Sequence, residues 1–385
     1  MTKFLIRRFL QMFVLFVVFL TIVFFLLHAM PGDISNQLIG NPNIPPEQRE
    51  ILRQTLGLDK PLFQQYGIYI LNFFQGEFGK SFTRYPSDVS TVIGAALPRT
   101  LVLFLAATVV AFWLGFKSGK LIAWGRGGKT EQAYIVGGVF LQTVFYPWFA
   151  LVALWFFGSQ LGWFPLGRFI DSDLWRGTIF NANNVFNLLI LSVFVAILVF
   201  GLARLVIGRL TPDPLIQNRY RRIVAVVVLA GLVAFWWFSP MRIYAWDIVH
   251  HTILPVLVLA SVAFGSTMLL TRSAMLETLG EDYIMTARAK GIPERAIRDR
   301  HAARNAMLPV TTSLVLALAF VIGGGIVTEN IFSWPGMGSL LLEAVTREDV
   351  PLAIGTLSIV GVLALFGHLI ADILYTILDP RIRIS

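Results

Sequence analysis

The sequence predicts an all-α polytopic membrane protein of about eight spans, with its N-terminus and C-terminus both cytoplasmic. Three observations carry this. Hydrophobic residues fill 56% of the 385 positions and charged residues only 14%, with a mean hydropathy of +0.72, a composition that points to a lipid-embedded chain. Eight apolar runs come close to the roughly 20 residues that cross a bilayer. With loops assigned by alternation, one side holds 21 Lys/Arg against 9 Asp/Glu and the other 10 against 13. The first side is then cytoplasmic by the positive-inside tendency. The net charge of +9 is thereby a topology signal, and nucleic acid is excluded as a partner. The absence of cysteine excludes disulfides, thiol catalysis and thiolate metal sites.

Residues 1–30 form the first span: Lys3, Arg7 and Arg8 precede the apolar run from Phe9 to Met30, whose length suits a retained anchor better than a cleaved signal. Residues 31–98 form an outer segment. It opens with the turn Met30-Pro31-Gly32-Asp33 and includes Leu56-Gly57-Leu58-Asp59-Lys60-Pro61-Leu62 and the amphipathic stretch Tyr66–Gly79. The aromatics Tyr66, Tyr69, Phe73, Phe74 and Phe78 suit the membrane interface or a cover over the outer mouth. Residues 99–184 hold spans two and three. Leu97-Pro98-Arg99-Thr100-Leu101 opens the second span, which ends near Phe116, and Lys117, Lys120, Arg126 and Lys129 mark its inner end. Gly125–Thr130 approximates a phosphate-binding loop, but G-x-x-x-x-G-K-[ST] requires glycine where Ala123 stands and a preceding strand, so it reads as a basic turn. The third span, Ala133–Phe157, is expected to kink at Pro147. An outer loop over 159–184 carries Trp163, Asp171, Asp173 and Trp175.

Residues 185–240 read as a two-span hairpin, Val185–Leu202 and Ile223–Phe238, joined by Arg204–Arg222 with five arginines and one acid. An even number of spans leaves later orientations unchanged. A lipid-facing accessory element is the first reading, and a contact with another subunit the second. Residues 241–385 contain the remaining spans. The sixth, Ile248–Thr271, has His250 and His251 at its outer end; adjacent histidines face different sides of a helix and make a poor metal site. No metal and no cofactor are expected. The seventh, Ala306–Thr328, contains Gly323-Gly324-Gly325, which permit close helix approach or a local break. Ser339–Arg347 suits a short outer helix. The last span, Leu352–Leu378, places His368 and Asp372 four residues apart. A carboxylate within a span is a functional candidate by default, but this one lies within two turns of the end and reads as a structural anchor.

Between spans six and seven lies a polar island, Arg272–Asn305, with seven Lys/Arg and five Asp/Glu. A cytoplasmic island of this length without its own core invites a partner. Asp282 can cap a short helix, Tyr283–Ala289, that Gly291 stops in a left-handed conformation, and Pro293 suits the first turn of a second helix. Small side chains at Thr286, Ala287 and Ala289 would let a partner approach closely. A solvated linker is the alternative.

Asp282-Tyr283-Ile284-x-Thr286-Ala287-Arg288-Ala289-Lys290-Gly291, followed by Arg300-His301-Ala302-x-Arg304-Asn305-Ala306-x-Leu308-Pro309, resembles the EAA coupling loop of ABC importer permeases. It is closest to the oligopeptide, dipeptide and nickel group (B-type permeases), although Met285-Thr286-Ala287 replaces the literal Glu-Ala-Ala. Arg7-Arg8, the Met30–Asp33 turn, residues 56–62, Gly76-Glu77-x-Gly79-x-Ser81, Glu329-Asn330-Ile331-Phe332-Ser333-Trp334-Pro335-Gly336-Met337-Gly338 and Asp372-x-x-Tyr375-x-x-x-Asp379-Pro380-Arg381-Ile382-Arg383 are similar to the same group. The resemblance covers nearly all the chain except 185–240, where eight spans replace the usual six.

It implies a type I ABC importer transmembrane fold in the cytoplasmic (inner) membrane. Asp282, Tyr283, Thr286, Ala287, Ala289 and Gly291 would dock on ATPase subunits, and Phe332, Trp334, Pro335 and Gly336 would form an outer gate loop. The implied partners are a second homologous permease, two cytoplasmic ATP-binding subunits, an extracytoplasmic solute-binding protein and the lipid bilayer. The chain would be a transport subunit and not an enzyme, moving peptides or similar solutes, nickel complexes included. An ion-coupled secondary transporter using Asp372 is the alternative. An intramembrane hydrolase is weaker still, because Ser266 and His250 or His251 lie about four turns apart.

Overall fold

A computed structural model describes residues 2–28, 50, 60–125, 127–211, 213–321 and 325–378. The turn at 30–33, residues 56–59, Gly323-Gly324 and the closing segment from Asp379 lie outside the described residues. Those described are helical apart from turns, loops and an isolated bridge between Lys80 and Asp88. Among the described residues, six helices are long and apolar enough to cross a membrane, and a bent pair would make a seventh. The chain divides into two units, residues 1–156 with 255–385, and residues 157–254.

In the first unit, α1 (Thr2–His28) packs with α2 (Leu62–Gln75), and α3 (Val89–Trp124) with α4 (Lys129–Thr143). The helices run well past the apolar runs: α3 has 36 residues, and α8, Arg242–Leu279, has 38. Hydropathy marks only the immersed part of a helix, whereas backbone hydrogen bonding continues until a cap stops it.

The third span departs from expectation. α4 is followed by α5 (Tyr146–Ala153), and the two halves of the span bend by 107° rather than kinking gently. Val144 and Phe145 are extended. Pro147, which has no N–H to give, therefore sits in the first turn of a new helix, where none is needed. A π-wound segment, Leu154–Gln160, ends the element.

The amphipathic stretch is also relocated. It forms α2, beginning four residues earlier, and its aromatics pack on α1. Tyr66 and Tyr69 lie 5.3 and 5.5 Å from Phe24, and Phe73 and Phe74 lie 5.4 and 5.9 Å from Phe16. The Tyr66 and Thr21 hydroxyls are 2.7 Å apart. Burial pushes the Tyr69 phenol up to about 12, despite its hydroxyl contact with Ser358 at 2.9 Å. Phe16 and Phe24 belong to the apolar stretch of α1, so these rings take α1 as their partner.

Small residues set the deepest helix contacts, as membrane packing favours. A Cβ on Gly119 of α3 would sit 2.5 Å from the Met268 carbonyl, and one on Gly265 of α8 would sit 2.3 Å from that of Gly138 in α4.

After α8 come α9 (Asp282–Ala289), α10 (Glu294–Ala296), a π segment (Ile297–Ala302) and α11 (Ala303–Val321). Then follow α12 (Ile326–Ile331), α13 (Met337–Thr346) and α14 (Val350–Leu378). Asp349 caps α14 and is fully buried. Its carboxylate accepts from the Thr83 N–H and hydroxyl at 2.9 and 2.7 Å, from the Ser81 hydroxyl at 2.5 Å, and from the Leu352 N–H at 3.2 Å. The 76–81 motif is thereby fastened to the start of the last span. At the other end, Asp372 pairs with Arg8 at 3.5 Å, as an anchoring role requires.

The second unit contains α6 (Ala182–Leu210), α7 (Pro214–Phe238) and the loop before them. Asp247 holds that loop, accepting from Trp175 Nε1 at 2.8 Å and the Asp171 N–H at 3.1 Å. His251 pairs with Asp247 at 3.2 Å, and His250 contacts the Trp163 carbonyl at 2.9 Å. The two histidines thus diverge to separate partners.

Asp349→Ala strips four donors of their acceptor. At about 1–3 kcal/mol for each buried group left unsatisfied, partly recovered by hydroxyl rotation, it is expected to cost about 3 kcal/mol. A thermal melt of the purified variant measures this, and an unchanged midpoint would deny the fastening role.

A candidate coupling loop and an outer motif

The island folds onto its own chain. Glu281 is extended and forms the N-cap of α9 without a side-chain cap bond, so Asp282 occupies the first turn rather than capping. There its charge favours the positive helix end. Gly291 has φ +70°. Around it the Ile292 N–H reaches the Ala287 carbonyl at 3.2 Å and the Gly291 N–H that of Arg288 at 2.9 Å, a left-handed stop that glycine adopts without strain. Pro293 is the N-cap of α10, just outside the first turn.

α9 has two faces. Ile284 and Ala287, one turn apart, are buried in a cluster with Ala123 of α3, Ala274 and Met275 of α8, Ile297 and Ala302 of the π segment, and Ala303 and Ala306 of α11. Ala287 therefore does not meet a partner, contrary to the sequence expectation; its small size admits the helix onto its own chain. The open face carries Asp282, Tyr283, Met285, Thr286, Arg288, Ala289 and Lys290, with Met285 69% exposed. Gly291, just past the helix, is open too.

Polar ties fix this seat. Asn305 donates to the Tyr283 hydroxyl at 2.8 Å, and Lys120 of α3 pairs with Asp299 at 2.9 Å. Hydrogen bonding from Arg298, aided by Lys120, holds the Asp299 carboxyl well below the usual carboxylate range. Buried Glu131 accepts from Arg272 Nε at 2.8 Å and from the Gly127 N–H at 2.7 Å, which ties the inner turn of α4 to α8.

The outer motif is built around one carboxylate. Glu329 is fully buried. It accepts from the Thr100 hydroxyl at 2.7 Å and the Ser339 N–H at 2.8 Å, with the Gly338 N–H also directed at it. Burial pushes its carboxyl above the ordinary value, and these three donors oppose that shift. Thr100 in turn accepts from the Met337 N–H at 2.7 Å. Trp334 Nε1 donates to the Arg99 carbonyl at 3.2 Å, and Arg99 Nη1 donates to the Pro335 carbonyl at 3.1 Å. A Cβ on Gly336 would stand 2.4 Å from both Glu329 Oε1 and Thr100 Oγ1, so only glycine fits.

Phe332 and Trp334 are fully buried, and Pro335 is partly so. The two aromatics assigned to a gate thus point into the chain. Sequence reading quoted Glu329 and Thr100 within motifs but gave them no role. The available signal was a lone acid between the apolar seventh run and an aromatic-glycine turn.

Residues 215–384 match the family of binding-protein-dependent transport system inner membrane components, and residues 1–104 match the N-terminal domain of such membrane components. The chain is 31% identical over 383 residues to an oligopeptide transport system permease protein of Bacillus subtilis, covering 100% of both chains. It is 30% identical over 364 residues to a di/tripeptide transport system permease protein of Pseudomonas aeruginosa, covering 94% of this chain and 93% of that one. It is 32% identical over 390 residues to a dipeptide transport system permease protein of Escherichia coli, covering 100% and 99%.

Two expectations follow from the geometry. Ile284→Ala is expected to cost about 2–5 kcal/mol through the cavity it leaves, and Ala287→Asp to lower the melting midpoint by burying an unpaired charge, while Met285→Ala leaves it unchanged. An Ala287→Asp protein with a wild-type midpoint would return Ala287 to the open face. At the outer motif, Glu329→Ala and Gly336→Ala should each destabilise by about 1–3 kcal/mol, from unsatisfied donors and overpacking respectively. Wild-type melting of both variants would remove the carboxylate from the centre of that loop.

Proposed function

The chain belongs to the family of binding-protein-dependent transport system inner membrane components and is a multi-pass permease subunit, and from that premise we propose that it forms half of a translocation pathway for peptides. A second, homologous permease supplies the other half. A solute-binding protein on the outer side delivers the cargo, and two cytoplasmic ATP-binding subunits hydrolyse ATP. The peptide assignment rests on what the relatives are named for, and the assembly resides in the cytoplasmic membrane.

The observation that supports the coupling role is the seat of α9. Its inner face rests on α3, α8 and α11 through one buried cluster, so a displacement of α9 is felt by three spans at once. Its outer face leaves Tyr283, Met285, Thr286 and Ala289 open to a partner. ATP binding would close the ATPase subunits, carry α9 with them, and shift the spans between inward-open and outward-open states through differential binding. The outer motif, fixed by Glu329, is a rigid loop beside the outer end of this pathway. Asp372, which an ion-coupled carrier would need as a free carboxylate, is paired with Arg8.

Met285→Glu and Thr286→Arg place charge on the open face. Co-purification of the ATPase subunits is expected to fall about tenfold or more, as for a lost interface anchor, with the melting midpoint retained and peptide uptake into proteoliposomes lost. ATPase recovery and uptake at wild-type levels in both variants would sink the docking proposal.

A further inference from the structure

The hairpin α6–α7 buries almost nothing within the chain: no residue of the apolar stretch of α7 is buried, and 11% of that of α6. The two helices have a fixed register, since Trp236 Nε1 donates to the Ser192 hydroxyl at 3.0 Å and Gly208 lies against Arg221. Between them runs an apolar groove of about 400 Å³, lined along α6 by residues from Leu188 to Val199 and along α7 by Val228, Leu232 and Phe235.

Two-turn steps of seven residues keep to one helix face. They carry the α6 stripe from Val195 through Leu202 to Arg209, and the α7 stripe from Val228 to Arg221. That register, which sets Arg221 against Gly208, puts Arg209, Arg219, Arg221 and Arg222 at neighbouring levels, with Arg204 about one turn nearer the groove. None of the five pairs with a described carboxylate. Asp213, the acid between them, is engaged in capping the Leu215 N–H at 2.8 Å. Arg221 donates through Nη2 to Gln217 at 3.1 Å, while its Nε is buried without a hydrogen-bond partner among the described residues.

We propose that the hairpin is a binding site for one anionic phospholipid, with its phosphate held by Arg209 and Arg221 and its acyl chains lying in the α6–α7 groove. An apolar groove that ends at Val199 and Val228, with uncompensated guanidinium groups two to three turns beyond it on the same stripes, matches a lipid in charge, and a guanidinium takes phosphate oxygens in bidentate fashion. A protein partner covering the hairpin would have to supply carboxylates at the same depth. The inference stands on the hairpin itself and does not depend on the transport assignment.

The test is native mass spectrometry of the full-length protein released from nanodiscs of equal parts phosphatidylglycerol and phosphatidylcholine. The wild type is expected to retain phosphatidylglycerol selectively. R209Q/R221Q should reduce that retention about tenfold, in line with the loss of two headgroup-facing cations. R209K/R221K should keep it in large part, and Val195→Trp, which fills the groove, should lower it with the arginines in place. Retention of the two lipids in their bulk ratio, or undiminished phosphatidylglycerol on R209Q/R221Q, would overturn the proposal. So would a photocrosslinker at Val199 that captures a second protein in the native membrane.

Discussion

Polar atoms carried to a depth that water does not reach must be satisfied within the chain, because an unpaired buried group costs more there than a lost hydrogen bond does in water. Four buried carboxylates meet that requirement, and each joins segments that are far apart or would otherwise be unfastened. Asp349 gathers residues 81–83 onto the start of α14. Glu329 draws the 336–339 turn against Thr100 of α3. Asp247 holds the loop around Asp171 and Trp175. Glu131 ties the turn before α4 to α8. Removing any one acceptor leaves several donors orphaned together, so these ties act as units.

The same solvent argument explains the glycines. Lipid offers no hydrophobic drive for one apolar helix to leave lipid and meet another, so close van der Waals approach has to hold the helices together. Gly115 and Gly119, four residues apart on α3, admit Thr267, Met268 and Thr271 of α8. Contacts this close leave little room for one helix to slide on the other. A push on α9 is then passed to α3, α8 and α11 together and is not absorbed by local repacking. In the proposed coupling role, rigidity between helices and the seat of α9 are thus parts of one device.

The coupling loop shows both the reach and the limit of reading side chains in a line. The stop at Gly291 was legible because a left-handed residue is a local property and glycine is its usual bearer. The orientation of Ala287 was not. A small residue on a short helix suits either a partner's groove or the chain's own core, and only the position of Ile297, Ala302 and Met275 decides between them. The bend between α4 and α5 was half legible. Pro147 announced an interruption, but the two extended residues before it, which turn a kink into a 107° break, carry no mark in the sequence.

What the sequence determined by itself was the all-α polytopic class and the family, since these follow from apolar run length and from ordered motifs. The tertiary structure decided which face of each element is spoken for. It turned Ala287, Phe332 and Trp334 inward, gave Glu329 and Asp349 their donors, and left the α6–α7 hairpin uncovered. Burial is a relation between residues distant in the chain, and no local pattern encodes the partner on the other side.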